Sequence, residues 1–401
     1  MKEEIKVKNI SVKNEEIIAL TDKFLSQGDL VVSSNKYVVI PGLMDVHVHL
    51  REPGFSYKET IFSGTHASAK GGYTTVCLMP NLNPVPDTLD NLKIQLDIIK
   101  KDALIEVLPY GAITKGEKGM EIADLEDMKD YVCAYSDDGR GVQANDMMKT
   151  AMLKAKAMNK LIVAHCEDNS LLFGGYIHDG KYAKEHGHKG ICSASEYKQV
   201  ERDLELVKET GVSYHVCHVS TKESVDLIRK AKKEGLDVTC ETAPHYLILT
   251  DSDLKEDGRF KMNPPLRSEE DKKALIEGIL DGTIDMIATD HAPHSEEEKS
   301  KGLEKSAFGI VGIETAFPLL YTHLVKTKIL TIEKLIELLS VNPRKRFGVK
   351  NNGYAVFEIE TPYTIDEKDF LSKGKSTPFL GEEVYGRCVL TVMDGKVVYH
   401  E

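Results

Sequence analysis

The sequence predicts an α/β fold: a (β/α)8 barrel of the TIM type with a small β-rich satellite built from both termini. Three observations point there. Apolar β-rich runs alternate with amphipathic helical segments from Tyr37 onward, eight such runs can be counted, and short strand-like runs return at both ends of the 401-residue chain. Alternation of this kind implies parallel strands covered by helices. Eight repeats suit a barrel, whose functional residues lie on the loops after the C-terminal strand ends. The boundaries expected are 1–38 and 348–401 for the two parts of the satellite and 39–347 for the barrel.

In chain order, residues 1–38 hold two β-like runs, IKVKNISV and DLVVSS, broken by Asn, Gly and Ser clusters. The eight barrel runs follow: YVVIPGLMDVHVHL, TTVCLMPN, IEVLPYGAIT, YVCAYSDDG, KLIVAHCED, VSYHVCHVS, DVTCETAPHY and DMIATDHAPH. Between them, DTLDNLKIQLDIIKKD, NDMMKTAMLKAKAMNK, SEYKQVERDLELVKET and ESVDLIRKAKKEG carry apolar residues at helical spacing. Glycines in KETG and KKEG are suited to cap two of these helices. The stretch HSEEEKSKGLEKSAFGIVG after the last run reads first as a solvated charged face, and its place at a barrel mouth leaves a mobile lid over 295–312 as the second reading. The C-terminal run CVLTVMDGKVVYH contains Asp394-Gly395, a good hairpin turn.

Composition narrows the function. A hydrophobic content of 41% with 29% charged residues is that of an ordinary globular protein. Acids outnumber bases 64 to 52, a formal charge of -12, which argues against a general role on nucleic acid or a membrane surface, so an anionic substrate must be met locally. Seven cysteines without a C-x-x-C pair suit a reducing compartment. The N-terminus MKEEIKVKNI lacks the apolar core of a signal peptide and no stretch reaches membrane-span length, so the cytoplasm is expected.

Chemistry gathers at the strand ends. In Asp45-Val46-His47-Val48-His49-Leu50-Arg51, strand alternation makes His47 and His49 project together while Val46, Val48 and Leu50 pack. Arg51 continues that face, putting a fixed cation one step beyond two potential metal ligands. Asp138, His165, His218 and Asp290 close the fourth, fifth, sixth and eighth runs. Imidazole and carboxylate suit zinc, and six such ligands exceed what one four-coordinate ion needs, so two ions sharing a carboxylate is the economical arrangement. Alternation turns His215 away from His218 and His291 away from Asp290, and sends Cys166 and Cys217 into packing. Between Asp137 and Asp138 the turn leaves the choice open. His66, His178, His186, His188, His323 and His400 fall outside the strand ends and read as surface or packing residues.

These residues carry a resemblance. DVHVHLREPG, GGYTTVCLMPNLNPVPD, LPYGAITKG, YSDDGRGVQ, VAHCEDN, YHVCHVSTKES, FKMNPPLRSEEDKKALIEGILDGTIDMIATDHAPH and FGIVGIETAFPLLY together resemble the bacterial type I dihydroorotases of the amidohydrolase superfamily, over roughly residues 38 to 347. The resemblance implies a zinc site of His47, His49, Asp138 and Asp290, with Asp138, His165 and His218 at a second ion. It favours Asp138 over Asp137, and aspartate stands where related cyclic amidohydrolases use a carboxylated lysine. It implies that Arg51, Asn81 and His294 grip a substrate carboxylate, that Asn263 contacts the pyrimidine ring, and that Asp290 is the catalytic base and acid. The implied reaction is the reversible, zinc-dependent cyclisation of N-carbamoyl-L-aspartate to (S)-dihydroorotate in pyrimidine biosynthesis. A homodimer and an association with aspartate transcarbamoylase are the partners it suggests. A hydantoinase or allantoinase, or an inactive scaffold for aspartate transcarbamoylase, are the alternatives. The C-terminal segment departs from the family pattern: FGVKNNGYAVFEIE replaces the usual glycine-rich G-x-I-x-x-G-x-x-A-D.

Overall fold

A computed structural model describes residues 14–28 and 30–401. The run IKVKNISV lies outside them. The first described element departs from the β reading of the N-terminal segment, because Glu15–Ser26 is a helix. Asn14 caps it by accepting from the backbone N–H of Glu16 and Ile17, and Ile17, Thr21 and Phe24 are buried at helical spacing. Among the described residues of DLVVSS, Val32–Ser33 is strand.

The long run beginning at Tyr37 is two strands with different partners. Tyr37–Pro41 pairs antiparallel with Gly353–Glu358, whereas Leu43–Val48 pairs parallel with the next strand. Gly42 is the break, and a Cβ there would lie 2.3 Å from Thr74 Oγ1. Residues 39–41 therefore join a five-stranded antiparallel sheet drawn from both ends of the chain, in the order Val32–Ser33, Tyr37–Pro41, Gly353–Glu358, Arg387–Met393, Lys396–His400. Asp394 and Gly395, at φ 49° and 71°, make the last hairpin turn. Phe24 and Ile17 of the first helix pack on this sheet with Val39, Tyr354, Val356 and Leu390.

Each of the eight expected runs supplies a parallel strand. We number them β1 Leu43–Val48, β2 Tyr73–Leu78, β3 Glu106–Pro109 with its continuation Gly111–Ala112, β4 Tyr135–Ser136, β5 Ile162–Ala164, β6 Tyr214–Val216, β7 Val238–Thr242 and β8 Met286–Ile287. β1, β2 and β3 form one parallel sheet; the continuation of β3 begins a second that runs through β8. The two sheets meet at Tyr110, whose N–H donates to Leu78 O, and at a parallel bridge between Val48 and His291, where His49 N–H donates to His291 O at 2.8 Å. Met44, Val46, Cys77, Met79, Tyr110, Val163, Cys217 and Met286 pack as one buried cluster; a larger one joins the strands to their helices.

The four expected helices are Leu89–Asp102, Asn145–Ala157, Ala194–Thr210 and Lys222–Lys233. Gly211 ends the third in the left-handed conformation. The 295–312 stretch is more than a solvated face: it holds two short helices, Glu296–Lys299 and Gly302–Lys305, and buries Lys299, Leu303 and Ser306. Lys299 Nζ donates to the carbonyls of Lys261 and Ala307 at 2.9 and 2.8 Å, tying this segment to 258–261.

Candidate active site

β1 does not keep strict alternation. Its register against β2 shifts between Asp45 and Val48, so Met44 and Val46 enter one cluster while Val48 and Leu50 enter the other. His47 and His49 still face the same side, with ring centroids 5.4 Å apart. Asp45, wholly buried, fixes the segment by accepting from His47 N–H at 3.0 Å and from Thr289 N–H and Oγ1 at 3.1 and 2.6 Å. The start of the metal-ligand candidates and the end of β8 are thereby tied together.

The six candidate ligands converge. His47 Nε2 lies 3.3 Å from Asp138 Oδ1 and 3.6 Å from Asp290 Oδ1; His49 Nε2 lies 3.4 Å from Asp138 Oδ2 and 3.1 Å from Asp290 Oδ1. On the other side of Asp138, His165 Nδ1 and His218 Nε2 face each other at 2.9 Å, at 3.7 and 3.6 Å from Asp138 Oδ1. His218 and Asp290 hold left-handed φ of 31° and 47°, and Arg51 of 59°, conformations that cost energy for residues with a Cβ and cluster at functional sites.

The donor set fits a metal. His47, His49 and Asp290 form one group of potential ligand atoms within 4.8 Å of each other, and His47, Asp138 and His218 form another. His47 Nε2 and Asp138 Oδ1 are buried without a hydrogen-bond partner. Burial opposes charge on His47 and His165, yet the Asp138 carboxylate raises both. The cluster calls for positive charge, which a divalent cation supplies.

The neighbouring histidines and cysteines sort as alternation predicts, and the choice between Asp137 and Asp138, which alternation left open, is visible in their contacts. His215 gives its ring nitrogens to Thr239 Oγ1 and Glu241 Oε2 at 2.8 and 2.9 Å, and His291 Nδ1 accepts from Gly312 N–H. Asp137 accepts from Ile113 N–H, Thr114 N–H and Thr114 Oγ1, leaving Asp138 to the cluster. Cys166 and Cys217 are buried in packing.

Two orienting contacts escaped the sequence reading. Glu241 on β7 accepts from His47 Nδ1 at 2.7 Å, and the same carboxylate holds His215. Burial alone would raise its pKa, but the two imidazoles bring it down to about 2. The signal was present: a glutamate inside an otherwise apolar β run is seldom buried unless paired. Asn81 Oδ1 accepts from His49 Nδ1 at 2.9 Å, which turns His49 Nε2 toward the carboxylates.

A cavity of ≈ 210 Å³ opens above the cluster. All ten sequence-predicted site residues line it except His47, which lies beneath. Arg51 Nε donates to Pro293 O at 3.2 Å, and its Nη2 is 3.3 Å from His294 Nε2. Burial first, then Arg51 and Lys58, depress the His294 pKa to about 3, so its ring is neutral. Asn263 Nδ2 donates to Glu167 Oε1 at 2.8 Å, while its Oδ1 is buried without a partner. Phe308, from the 295–312 stretch, lines the same cavity.

Comparison with known proteins decides the family. A family model described as Dihydro-orotase-like matches residues 36–224. The dihydroorotase of Fusobacterium nucleatum is 52% identical over 400 residues, covering 98% of this chain and 91% of that one. The chain belongs to the dihydroorotase family. The dihydroorotase of Ligilactobacillus salivarius is 53% identical over 379 residues, 92% of this chain and 88% of its own. Among solved structures, the L-hydantoinase (dihydropyrimidinase) of Arthrobacter aurescens superposes with a TM-score of 0.82 at 27% identity, covering 90% of this chain and 85% of that one. Dihydroorotase-family membership makes this chain an enzyme of the cyclic amide hydrolase class. Among the described residues, no helix is long and apolar enough to cross a membrane.

Proposed function

We propose that these residues carry out the zinc-dependent, reversible conversion of N-carbamoyl-L-aspartate to (S)-dihydroorotate and water, in the cytoplasm, on one (β/α)8 barrel joined through the Val48–His291 bridge. The observation that carries this reading is the meeting of two chemistries in one cavity: the histidine and aspartate cluster at its floor, and the Arg51 and His294 pair at its wall. A guanidinium fork matches a carboxylate, and the free acceptor Asn263 Oδ1 suits a ring N–H.

Of two zinc ions, one would be held by His47, His49, Asp138 and Asp290 and the other by Asp138, His165 and His218. Zinc bound there would supply a lowered water pKa and a Lewis acid for the amide carbonyl. The chain's own residues do the rest. Arg51, Asn81 and His294 fix the substrate carboxylate so that the reacting carbonyl lies over the cluster. In the hydrolytic direction Asp290 takes the proton of the attacking water and delivers it to the departing ring nitrogen. In the synthetic direction Asp290 takes a proton from the carbamoyl nitrogen, which attacks the side-chain carboxyl carbon, and water leaves.

The test runs dihydroorotate, hydantoin and allantoin side by side on zinc-loaded protein. Consumption of dihydroorotate alone, lost on chelation and regained with zinc, is the expected result. Turnover of hydantoin or allantoin without dihydroorotate would move the protein to another cyclic amidohydrolase activity, and no turnover with zinc bound would favour a scaffold. For Arg51→Met we expect KM for dihydroorotate to rise by at least about tenfold with a smaller fall in kcat, the mark of lost binding energy. An unaltered KM would remove Arg51 from the substrate site.

A further inference from the structure

Against His294, which lines the cavity, stands a cation that does not line it and has no role in the reaction as derived. Lys58, on the loop after β1, reaches across to the loop after β8, where its Nζ lies 3.2 Å from His294 Nδ1 and 2.9 Å from Glu298 Oε1. Both ends of this span are held. The loop is stitched by Phe55 N–H to Arg51 O, Lys58 N–H to Phe55 O and Ile61 N–H to Glu52 Oε2. Glu298 accepts from Ser295 N–H and Oγ, both at 3.0 Å, as the capping box of Glu296–Lys299.

An ammonium has three donors and no acceptor, so the His294 nitrogen facing it must present a lone pair. The ring proton then belongs to Nε2, which donates to Phe308 O at 2.8 Å. A nitrogen that carries a proton cannot accept from Arg51 Nη2, 3.3 Å away, so two donors stand side by side at the cavity wall.

We infer that Lys58 is a positioning residue: its ammonium fixes the His294 ring with Nδ1 as acceptor and Nε2–H as the donor beside Arg51. The inference rests on the reading of Arg51 and His294 as the carboxylate grip and extends it. A carboxylate arriving there replaces Phe308 O and takes one bond from each donor. The charged groups around the ring are Arg51, Lys58, Lys299 and Glu298. Cations outnumber the one acid, and with burial they keep the ring neutral. Without Lys58, Nδ1 can carry the proton and donate toward Glu298 Oε2, 3.5 Å away. Nε2 then accepts from Arg51, and the donor pair collapses.

The experiment uses the zinc-loaded full chain labelled with ¹⁵N-histidine, with His294 assigned by its loss in H294Q. Wild type should show the Nε2–H tautomer without titration through the neutral range. K58M should show the neutral Nδ1–H tautomer for His294 and a KM for dihydroorotate raised by about tenfold, with a smaller change in kcat; K58R should return both toward wild type. K58A and K58Q are read beside K58M, so that a folding defect in one does not decide the matter. A wild-type His294 tautomer in all three neutral variants overturns the inference, whatever KM does. If the tautomer responds to Lys58 but H294Q keeps the wild-type KM, the positioning stands and it is the carboxylate reading of His294 that fails.

Discussion

Asp290→Asn is expected to lose turnover in both directions by about 10²–10⁴, the usual worth of a positioned general acid or base. The substitution is close to isosteric, and an amide oxygen can still face the cluster from the end of β8. The ability to accept a proton from water and return it to a ring nitrogen is lost. The position tolerates little rearrangement: Asp290 has a left-handed φ of 47°, and the preceding Thr289 is bonded to Asp45 through both its N–H and its hydroxyl. Initial rates in both directions, zinc content and substrate binding separate the outcomes. Retained binding with collapsed rates supports the proton-shuttle assignment. Near-wild-type turnover in both directions would refute it, and loss of zinc would make Asp290 chiefly a ligand.

Glu241→Gln should weaken zinc binding by about 10–100-fold without touching any atom of the cavity, the usual effect of removing a hydrogen-bond partner that orients a ligand. The carboxylate gives one oxygen to each of two imidazole N–H groups, His47 Nδ1–H at 2.7 Å and His215 Nε2–H at 2.9 Å. A glutamine has one oxygen and one NH2. Its NH2 must face a ring nitrogen that was a donor, so one histidine changes tautomer or loses its bond inside a site that excludes water. If that histidine is His47, its proton moves to Nε2, the atom offered to the metal. Competition against a chelator gives the affinity directly, and the smaller thermal shift on adding zinc gives it independently. Wild-type zinc affinity in Glu241→Gln would mean that His47 is held by its strand alone.

The strand ends were legible because β geometry and the parallel α/β topology constrain them together. His47, His49, Asp138, His165, His218 and Asp290 each close an apolar run, and parallel strands bring such ends to one rim. The structure gathers all six. What stayed hidden lies off that pattern. Glu241 sits within a strand, and only the folded sheet shows which histidines it reaches. Lys58 and Phe308 come from loops, whose paths depend on contacts distant in sequence, such as Lys58 with Glu298. The N-terminal helix is masked by the β-like runs that flank it, although Ile17, Thr21 and Phe24 have helical spacing. Gly42, between two apolar runs, concealed a change of sheet that the strand pairing on its two sides discloses, and a Cβ there would have no room beside Thr74.

The tie between Asp45 and Thr289 and the bridge between Val48 and His291 have a consequence for how the protein is made. His49 and Asp290, in contact in the folded protein, are 241 positions apart in the chain. A ribosome exposes His47 and His49 early, and β2 to β8 must all be synthesised before Asp290 can reach them. On the proposed ligand set, the nascent chain would therefore offer zinc only a fragment of its coordination sphere. Under the proposed ligand set, tight metal capture would wait until β8 docks, and the bound ion would fasten the seam where β1 and β8 meet.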